Sequence, residues 1–339
     1  MAAALTRSDA SSGVIDSKMF DNAIGRVIAL SESATSGSAP SSETKGREAA
    51  RPEQPTVSVV IPAHNSWPYL KEQLDAVAAQ TYSGQIEVVV ADNNSTSPLR
   101  EHCPVLKLSG VRFVDAVGGS GAAYARNAGA EVATGEFLAF CDADDVVHPT
   151  WLDTLVRLAA SHDLVGTAIE TGSVNTHKAL DRTPTSTPEQ QGKSAFLPFA
   201  IGASLGCWAS VYRELGGMNT DVKASEDVEF SWRAQINGFT LGFERTALVG
   251  YRLREDLRPL LRQSYILGYG FAQVQGQYRD RGCPPVKIGR VLYWWMMLTL
   301  GNPLVPRRIT KISRGQWLRA VAAHVGELRG GIRYRTFAW

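Results

Sequence analysis

Solidly apolar runs alternate with segments of helical periodicity between residues 56 and 145. The run "TVSVVIPAHN" (56–65) is β-branched and breaks at a proline and a polar loop, which predicts a strand. "SWPYLKEQLDAVAAQT" (66–81) follows, with Leu70, Leu74 and Val77 at helical spacing. "IEVVVADNNSTS" (86–97) predicts a second strand ending in an Asx-rich loop, and "VRFVDAV" (111–117) a third. A glycine turn then leads into a helix, "GGSGAAYARNAGAEVAT" (118–134), before a fourth strand in "GEFLAFCDADD" (135–145). Continuous apolar strands alternating with helices predict a mostly parallel sheet covered on both faces, an α/β fold. Ligands bind such sheets beyond the carboxyl ends of the strands. Those ends read "PAHN", "ADNNS", "GGSG" and "DADD", all polar or glycine-rich.

The flanking segments differ from this core. Residues 1–55 are rich in Ser, Ala and Thr and too polar to bury a core, so they are expected to be a disordered N-terminal segment. Within them "SKMFDNAIGRVIAL" has the pattern of a short amphipathic helix. Hydrophobic residues at 44% and charged residues at 20% describe an ordinary globular chain. No stretch approaches the roughly 20 apolar residues of a spanning helix. The N-terminus carries no secretory h-region, and the four cysteines form no CxxC pair. The expectation is a cytoplasmic protein with reduced thiols.

The triplet Asp142, Asp144 and Asp145 crowds negative charge at the edge of the fourth strand. A helix N-cap before "HPTWLDTLVRLAA" accounts for it as well as a ligand does, taken alone. In an extended segment Asp142 and Asp144 share a face, and two carboxylates there suit Mg²⁺ or Mn²⁺. Such a metal keeps positions for substrate phosphates. The glycine turn before residue 122 also approaches a dinucleotide fingerprint, with Asp142 about 20 residues on. Tyr124 stands where that fingerprint needs a small residue, which weakens a nicotinamide-dependent oxidoreductase.

"VSVVIPAHN" (57–65), "VVVADNNST" (88–96), "ARNAGAEVATGEFLAFCDADD" (125–145) and "GGMNTDVKASEDVEFSWRAQ" (216–235) together resemble the family 2 inverting glycosyltransferases, which have the GT-A fold. The resemblance covers roughly residues 56–251, expected as the catalytic domain, with residues 252–339 as a basic, aromatic-rich helical extension. It implies a nucleotide-diphosphate sugar as donor. Pro62, Ala63 and Asn65 then lie against the donor nucleoside, Asp92 accepts from its base, and Arg126 contacts base or phosphate. Asp142 and Asp144 match the DxD motif that holds ribose and metal, with Ala143 between them on the donor side. Asp145 faces away and caps the following helix.

The resemblance further implies Asp227 as general base, with its neighbour Glu226 and Trp208 on the acceptor side; read from the residues alone, Ser225 is an N-cap with acids in the first turn of the helix, and Trp208 has a core position as its alternative. One departure stands out: many relatives have a metal-completing histidine where this chain has Gly250 and Tyr251, and the next histidine is His324. An inactive relative that binds nucleotide or carbohydrate without turnover is the alternative reading.

Charge is distributed unevenly. From residue 252 onward there are 16 Lys/Arg against 4 Asp/Glu, a net of +12, whereas residues 1–251 hold 19 against 29, a net of −10. The tail also holds Trp294, Trp295, Trp317 and Trp339 and the apolar "VLYWWMMLTL" (291–300). In "SRGQWLRAVAAHVGELRGG", Trp317, Val321, Val325 and Leu328 share a helical face flanked by Arg314, Arg319 and Arg329. The pattern suits peripheral attachment to an anionic membrane at its inner face, serving a carbohydrate or lipid-linked acceptor; the alternative is that these helices pack on the catalytic domain with solvated arginines outward. Nucleic acid is not expected, because the aromatics sit in apolar runs rather than among basic residues.

Overall fold

A computed structural model describes residues 51–105, 110–184 and 186–338. Nearly all of the N-terminal segment, its amphipathic stretch and Trp339 lie outside the described residues. The chain builds one eight-stranded sheet in the order β3-β2-β1-β4-β7-β6-β8-β5. The strands are β1 (Val57–Ala63), β2 (Ile86–Asp92), β3 (Val111–Asp115), β4 (Phe137–Phe140), β5 (Val146–Val147), β6 (Leu164–Glu170), β7 (Leu205–Trp208) and β8 (Leu241–Gly250). β3, β2, β1 and β4 run parallel, as the sequence predicts. β7 then enters antiparallel to both β4 and β6. β1 is central and buried along almost its whole length, which is why its sequence is apolar on both faces. Strand order reverses about β1, whose neighbours are β2 and β4, so the crevice at their carboxyl ends is a topological switch point.

Helices cover the sheet. α1 (Tyr69–Ala78), α2 (Ala122–Val132), α3 (Trp151–Ala159), α4 (His177–Arg182), α5 (Ala209–Glu214) and α6 (Glu226–Ile236) belong to the sheet-bearing part. α1 turns Leu70, Leu74 and Val77 inward, the periodicity read from sequence. α2 approaches β1 so closely that a Cβ on Gly129 would lie 2.5 Å from a Val60 methyl. The apolar core joins β1, β4 and β7 to α3, with Trp151, Phe137 and Phe140 fully buried.

Residues 252–338 form α7 (Leu257–Gln277), α8 (Ile288–Leu300), α9 (Arg307–Thr310) and α10 (Arg314–Arg333), confirming the helical extension. α7 and α10 touch backbone to backbone. A Cβ on Gly326 would lie 2.1 Å from the Tyr265 carbonyl oxygen, and one on Gly268 would lie 2.2 Å from that of Ala323. Gly270 of α7 meets the Ala224 carbonyl in the same way, at 2.5 Å, so this helix abuts the loop that leads into α6. Trp295 and Trp317 pack with Leu298 and Ala320, and the Trp317 indole donates to the Leu298 carbonyl at 2.8 Å. These tryptophans therefore point inward, correcting the expectation that they face a membrane. Arg319 is corrected too: it lines a cavity instead of flanking an exposed face.

Gly326→Ala is expected to lower stability by about 1–3 kcal/mol through overpacking of the α7–α10 contact. Gly289→Ala in α8, where an added Cβ meets nothing within 4 Å, is expected to gain about 0.4–1 kcal/mol. Thermal melts of the two variants, read side by side, check both the sign and the contrast.

Candidate functional site

At the carboxyl ends of β1 and β4 a cavity of about 1370 Å³ opens between the sheet and the C-terminal helices. Pro62, Ala63 and Asn65 form one side of it. Asn65 adopts a left-handed φ of 49°, and its amide oxygen accepts the Thr96 N–H at 2.8 Å, tying the first loop to the second. His64 is exposed and donates from Nδ1 to the Asn93 carbonyl at 2.7 Å. Asp92 stands behind this wall: its two oxygens accept from the Ser95 and Leu99 backbone N–H groups at 3.2 and 2.9 Å. The structure thus assigns Asp92 to shaping its own loop and does not bring it to the cavity surface.

Asp142, Ala143 and Asp144 line the cavity floor. The strand ends at Phe140, and Asp142–Asp145 forms a turn, with the Asp145 N–H 3.4 Å from the Asp142 carbonyl. The extended register expected for these residues is therefore corrected, although both carboxylates still face the cavity. Gln73, fully buried on α1, sets the turn: its amide donates to the Asp142 carbonyl at 2.9 Å and accepts the Val147 N–H at 3.0 Å.

Asp145 does not cap α3, whose N-cap position is Thr150. It is 1% exposed beneath the turn, where one oxygen accepts the Arg252 N–H at 2.8 Å and the other has no hydrogen-bond partner. Burial, then the Asp142 and Asp144 charges, push its carboxyl well above the usual range. A buried carboxyl between like charges favours its protonated form.

Arg126 organises the opposite wall. Its side chain is 3% exposed and donates to Asp142 at 2.7 Å and to Glu226 at 2.6 Å. Burial alone would lower its pKa, but Asp142, Glu226 and Asp227 outweigh that and raise it. Gly202 permits this placement, because a Cβ there would lie 2.8 Å from the guanidinium. The neighbouring Asn127 joins α2 to the turn at Gly217 and Met218, accepting the Met218 N–H at 2.8 Å.

Glu226 and Asp227 open α6 and line the cavity. Asp227 accepts the Gly202 N–H at 2.7 Å and its neighbour Val228 N–H at 2.8 Å. Burial first, then the Glu226 charge, push it up to about 6, against the Gly202 hydrogen bond and the Arg126 charge. Ser225 is in the left-handed region at φ 66° and makes no side-chain cap, a correction to the expected N-cap. Phe230 and Ala234 are buried beneath the helix and fix its first turn over the cavity.

Trp208 is also corrected. It pairs with Phe137 at the end of β4 remote from the aspartates, is 6% exposed, and donates to the Ala159 carbonyl at 3.1 Å. It is a core residue. Residues of the candidate site that sequence reasoning missed come mainly from the extension. Arg252 donates to the Asp144 carbonyl and Glu72, and Arg254 pairs with Asp144 at 2.8 Å. Tyr251 lines the cavity where the histidine was sought, its hydroxyl pushed up by burial and by the three aspartates. The positive charge count after residue 251 was the only signal for the arginines.

A family model described as "Glycosyl transferase family 2" matches residues 58–216, which ends before Glu226 and Asp227. The chain is 30% identical over 228 residues to glycosyltransferase AglE of Haloferax volcanii, covering 65% of this chain and 74% of that one. It is 26% identical over 271 residues to the pre-mycofactocin glycosyltransferase of Mycobacterium tuberculosis, covering 76% of this chain and 56% of that one. This chain therefore spans about half the length of that relative. Among solved structures it is similar to the mannosyltransferase PcManGT of Pyrobaculum calidifontis, solved with GDP-Man and Mn²⁺, with a TM-score of 0.52 and 20% identity. That match covers 81% of this chain and 87% of the other. At this identity the likeness shows the fold, which is of GT-A type.

The Asp227 carboxyl has a stability consequence. Its folded pKa of about 6 lies above its ordinary 3.8, so the folded state binds the proton more tightly than the unfolded chain. The stability this group contributes is present below about pH 4 and is lost as pH rises through 6, up to about 3 kcal/mol. Asp227→Asn carries no such loss. Its melting temperature relative to the wild type is expected to rise between pH 4 and pH 7, and a difference that stays flat with pH would contradict the assignment.

Proposed function

The chain belongs to glycosyl transferase family 2, and on that premise we propose that it transfers a sugar with inversion from a nucleoside-diphosphate donor to an acceptor hydroxyl, with Asp227 as general base. Family membership is the premise; the transfer itself, its inversion, the metal and the base are the parts proposed. One observation carries the reading. Across Arg126, a carboxylate raised to about 6 shares a cavity with the paired aspartates Asp142 and Asp144.

Inverting transfer needs a base on the face of the sugar opposite the leaving nucleoside diphosphate. The acceptor oxygen attacks the anomeric carbon and its proton passes to Asp227, while the bond from that carbon to the diphosphate oxygen breaks. A base with a pKa near 6 is ionised at neutral pH and still accepts a proton effectively. The Gly202 N–H fixes one Asp227 oxygen, which holds the carboxylate toward the cavity. Glu226, engaged by Arg126, is a positioning residue.

The donor set suits Mg²⁺ or Mn²⁺. Asp142 and Asp144 supply only oxygen ligands, and among the described residues no third His, Cys, Asp or Glu joins them in a metal-holding group. With Tyr251 at the histidine position, diphosphate and water would complete the shell. When bound, the metal neutralises charge on the leaving diphosphate. The chain's own contribution is to keep both carboxylates pointed at the cavity through Gln73 and Arg252.

A second element of the reading is attachment to an anionic membrane surface, where a lipid-linked acceptor is presented. Among the described residues no helix is long and apolar enough to cross a membrane. Leu292, Met296 and Leu300 of α8, at i, i+4 and i+8, form an exposed stripe, with Leu292 63% exposed. Leu304, 93% exposed, and Ile309 continue it beside the exposed Arg307, Arg308 and Lys311. Apolar side chains flanked by cations are the composition of an interfacial anchor.

Asp227→Asn is expected to lower turnover about 10²–10⁴-fold, and the wild-type rate to rise with pH to a plateau above roughly pH 7. Nucleoside-diphosphate affinity, measured by calorimetry in Mn²⁺, should be unchanged in the variant. An equal loss of affinity would remove Asp227 from the role of base.

Liposome flotation checks the surface. The chain is expected to float with anionic vesicles at low salt and to be released at high salt. Leu292→Asp combined with Met296→Asp should abolish flotation while leaving donor hydrolysis intact. Recovery of the wild type in the soluble fraction under every condition would dismiss the membrane.

A further inference from the structure

The wall of the cavity formed by α7 and α10 is basic. α10 turns Arg319, Ala323 and Glu327 toward it at i, i+4 and i+8, and α7 places Arg258 and Arg262 at its rim at i and i+4. The close α7–α10 contact through Gly268 and Gly326 fixes the two rows side by side. Glu327 is already engaged, by Arg290 at 3.6 Å and His324 at 3.2 Å. Asp144 is engaged by Arg254. Among the described residues no carboxylate or hydrogen-bond acceptor pairs with Arg258, Arg262 or Arg319. Arg319 is partly buried, and burial holds its guanidinium below the ordinary value, opposed by the Tyr251 hydroxyl.

A partly desolvated guanidinium without a counter-charge is unfavourable unless a ligand supplies the anion. On the proposed reading the donor diphosphate lies over Asp142 and Asp144, whose own counter-charges are Arg126 and Arg254. Arg319 instead shares its wall with Trp294 and His324, which stack with ring centroids 5.5 Å apart. We propose that Arg319, with Arg258 and Arg262 at the rim, forms an oxyanion subsite that binds a phosphate or carboxylate carried by the acceptor. This rests on the transferase reading above and narrows its acceptor to an anionic one. The planar guanidinium fork takes two oxygens of one such group, which a lysine does not.

Calorimetry on the full chain tests this with two matched pairs: octyl phosphate against octyl glucoside, and glycerol phosphate against glycerol. The wild type is expected to bind at least one phosphate and neither neutral partner. The octyl pair reports an amphiphilic acceptor and the glycerol pair a soluble one. Arg319→Gln should weaken the phosphate by roughly tenfold or more, with Arg262→Gln and Arg319→Lys in between. GDP and UDP binding in Mn²⁺, titrated in parallel, should change by less than about twofold, a difference too small to represent a lost ion pair. Circular dichroism of each variant establishes that it is folded. Three results would overturn the subsite: neutral partners binding as well as phosphates, phosphate affinity unmoved in Arg319→Gln, or a matching loss of GDP and UDP affinity. Failure of the wild type to bind either nucleotide would count against the transferase reading, while the phosphate titrations would still decide the subsite.

Discussion

A buried guanidinium between two carboxylates from distant parts of the chain sets the geometry of everything around it. Arg126 comes from the helix before β4, Asp142 from the turn after β4, and Glu226 from the start of α6, a hundred residues away. Removing Arg126 would take the shared counter-charge from both carboxylates, and removing either carboxylate would leave the buried guanidinium with one partner in place of two, so the three positions depend on one another. The same contact explains two local features. Gly202 lacks a side chain because the guanidinium occupies that space, and its N–H is thereby free to hold Asp227. Ser225 takes a left-handed conformation at the corner where the chain turns to bring Glu226 and Asp227 inward.

The C-terminal helices are part of this site and not an appendage to it. Arg252 reaches from the end of β8 to the aspartate turn, and its guanidinium lies 4.4 Å from the Tyr69 ring centroid while pairing with Glu72. Gly270 lets α7 rest on Ala224, one residue before Ser225. A shift of α7 would therefore be felt directly at the loop that leads into Glu226 and Asp227. The backbone contact of α7 with α10 transmits the same constraint one layer further out, which is how Arg319 comes to face the cavity.

The sheet and the carboxylate positions were legible in the sequence because they follow from local rules. Buried parallel strands must be apolar throughout, as β1 is, and a switch point must lie beyond their carboxyl ends. What was not legible depended on contacts between residues far apart. Nothing near Asp145 in sequence indicates that its partner is the Arg252 N–H, so a helix cap was the natural local expectation. Trp208 lies in a segment that also supplies cavity residues, and only strand pairing reveals that it sits at the wrong end of β7. Arg319 has the spacing of a flanking arginine on an amphipathic helix. The glycines at 326 and 330, which bring that helix against α7, were the overlooked sign that its other face is buried too.

The two aspartates of the floor differ in what holds them. Asp142 is tied to Arg126, whose departure would expose Glu226 as well. Asp144 is tied to Arg254, a side chain about half exposed at 48% that has no second buried partner. Burial raises the Asp144 carboxyl while Arg254 lowers it and Asp142 raises it again. Of the two pairs, only Arg254–Asp144 opens without stranding a buried arginine, since Arg254 can move into solvent. Asp144 is therefore the more easily freed of the two carboxylates, and Asp142 is the one held in place.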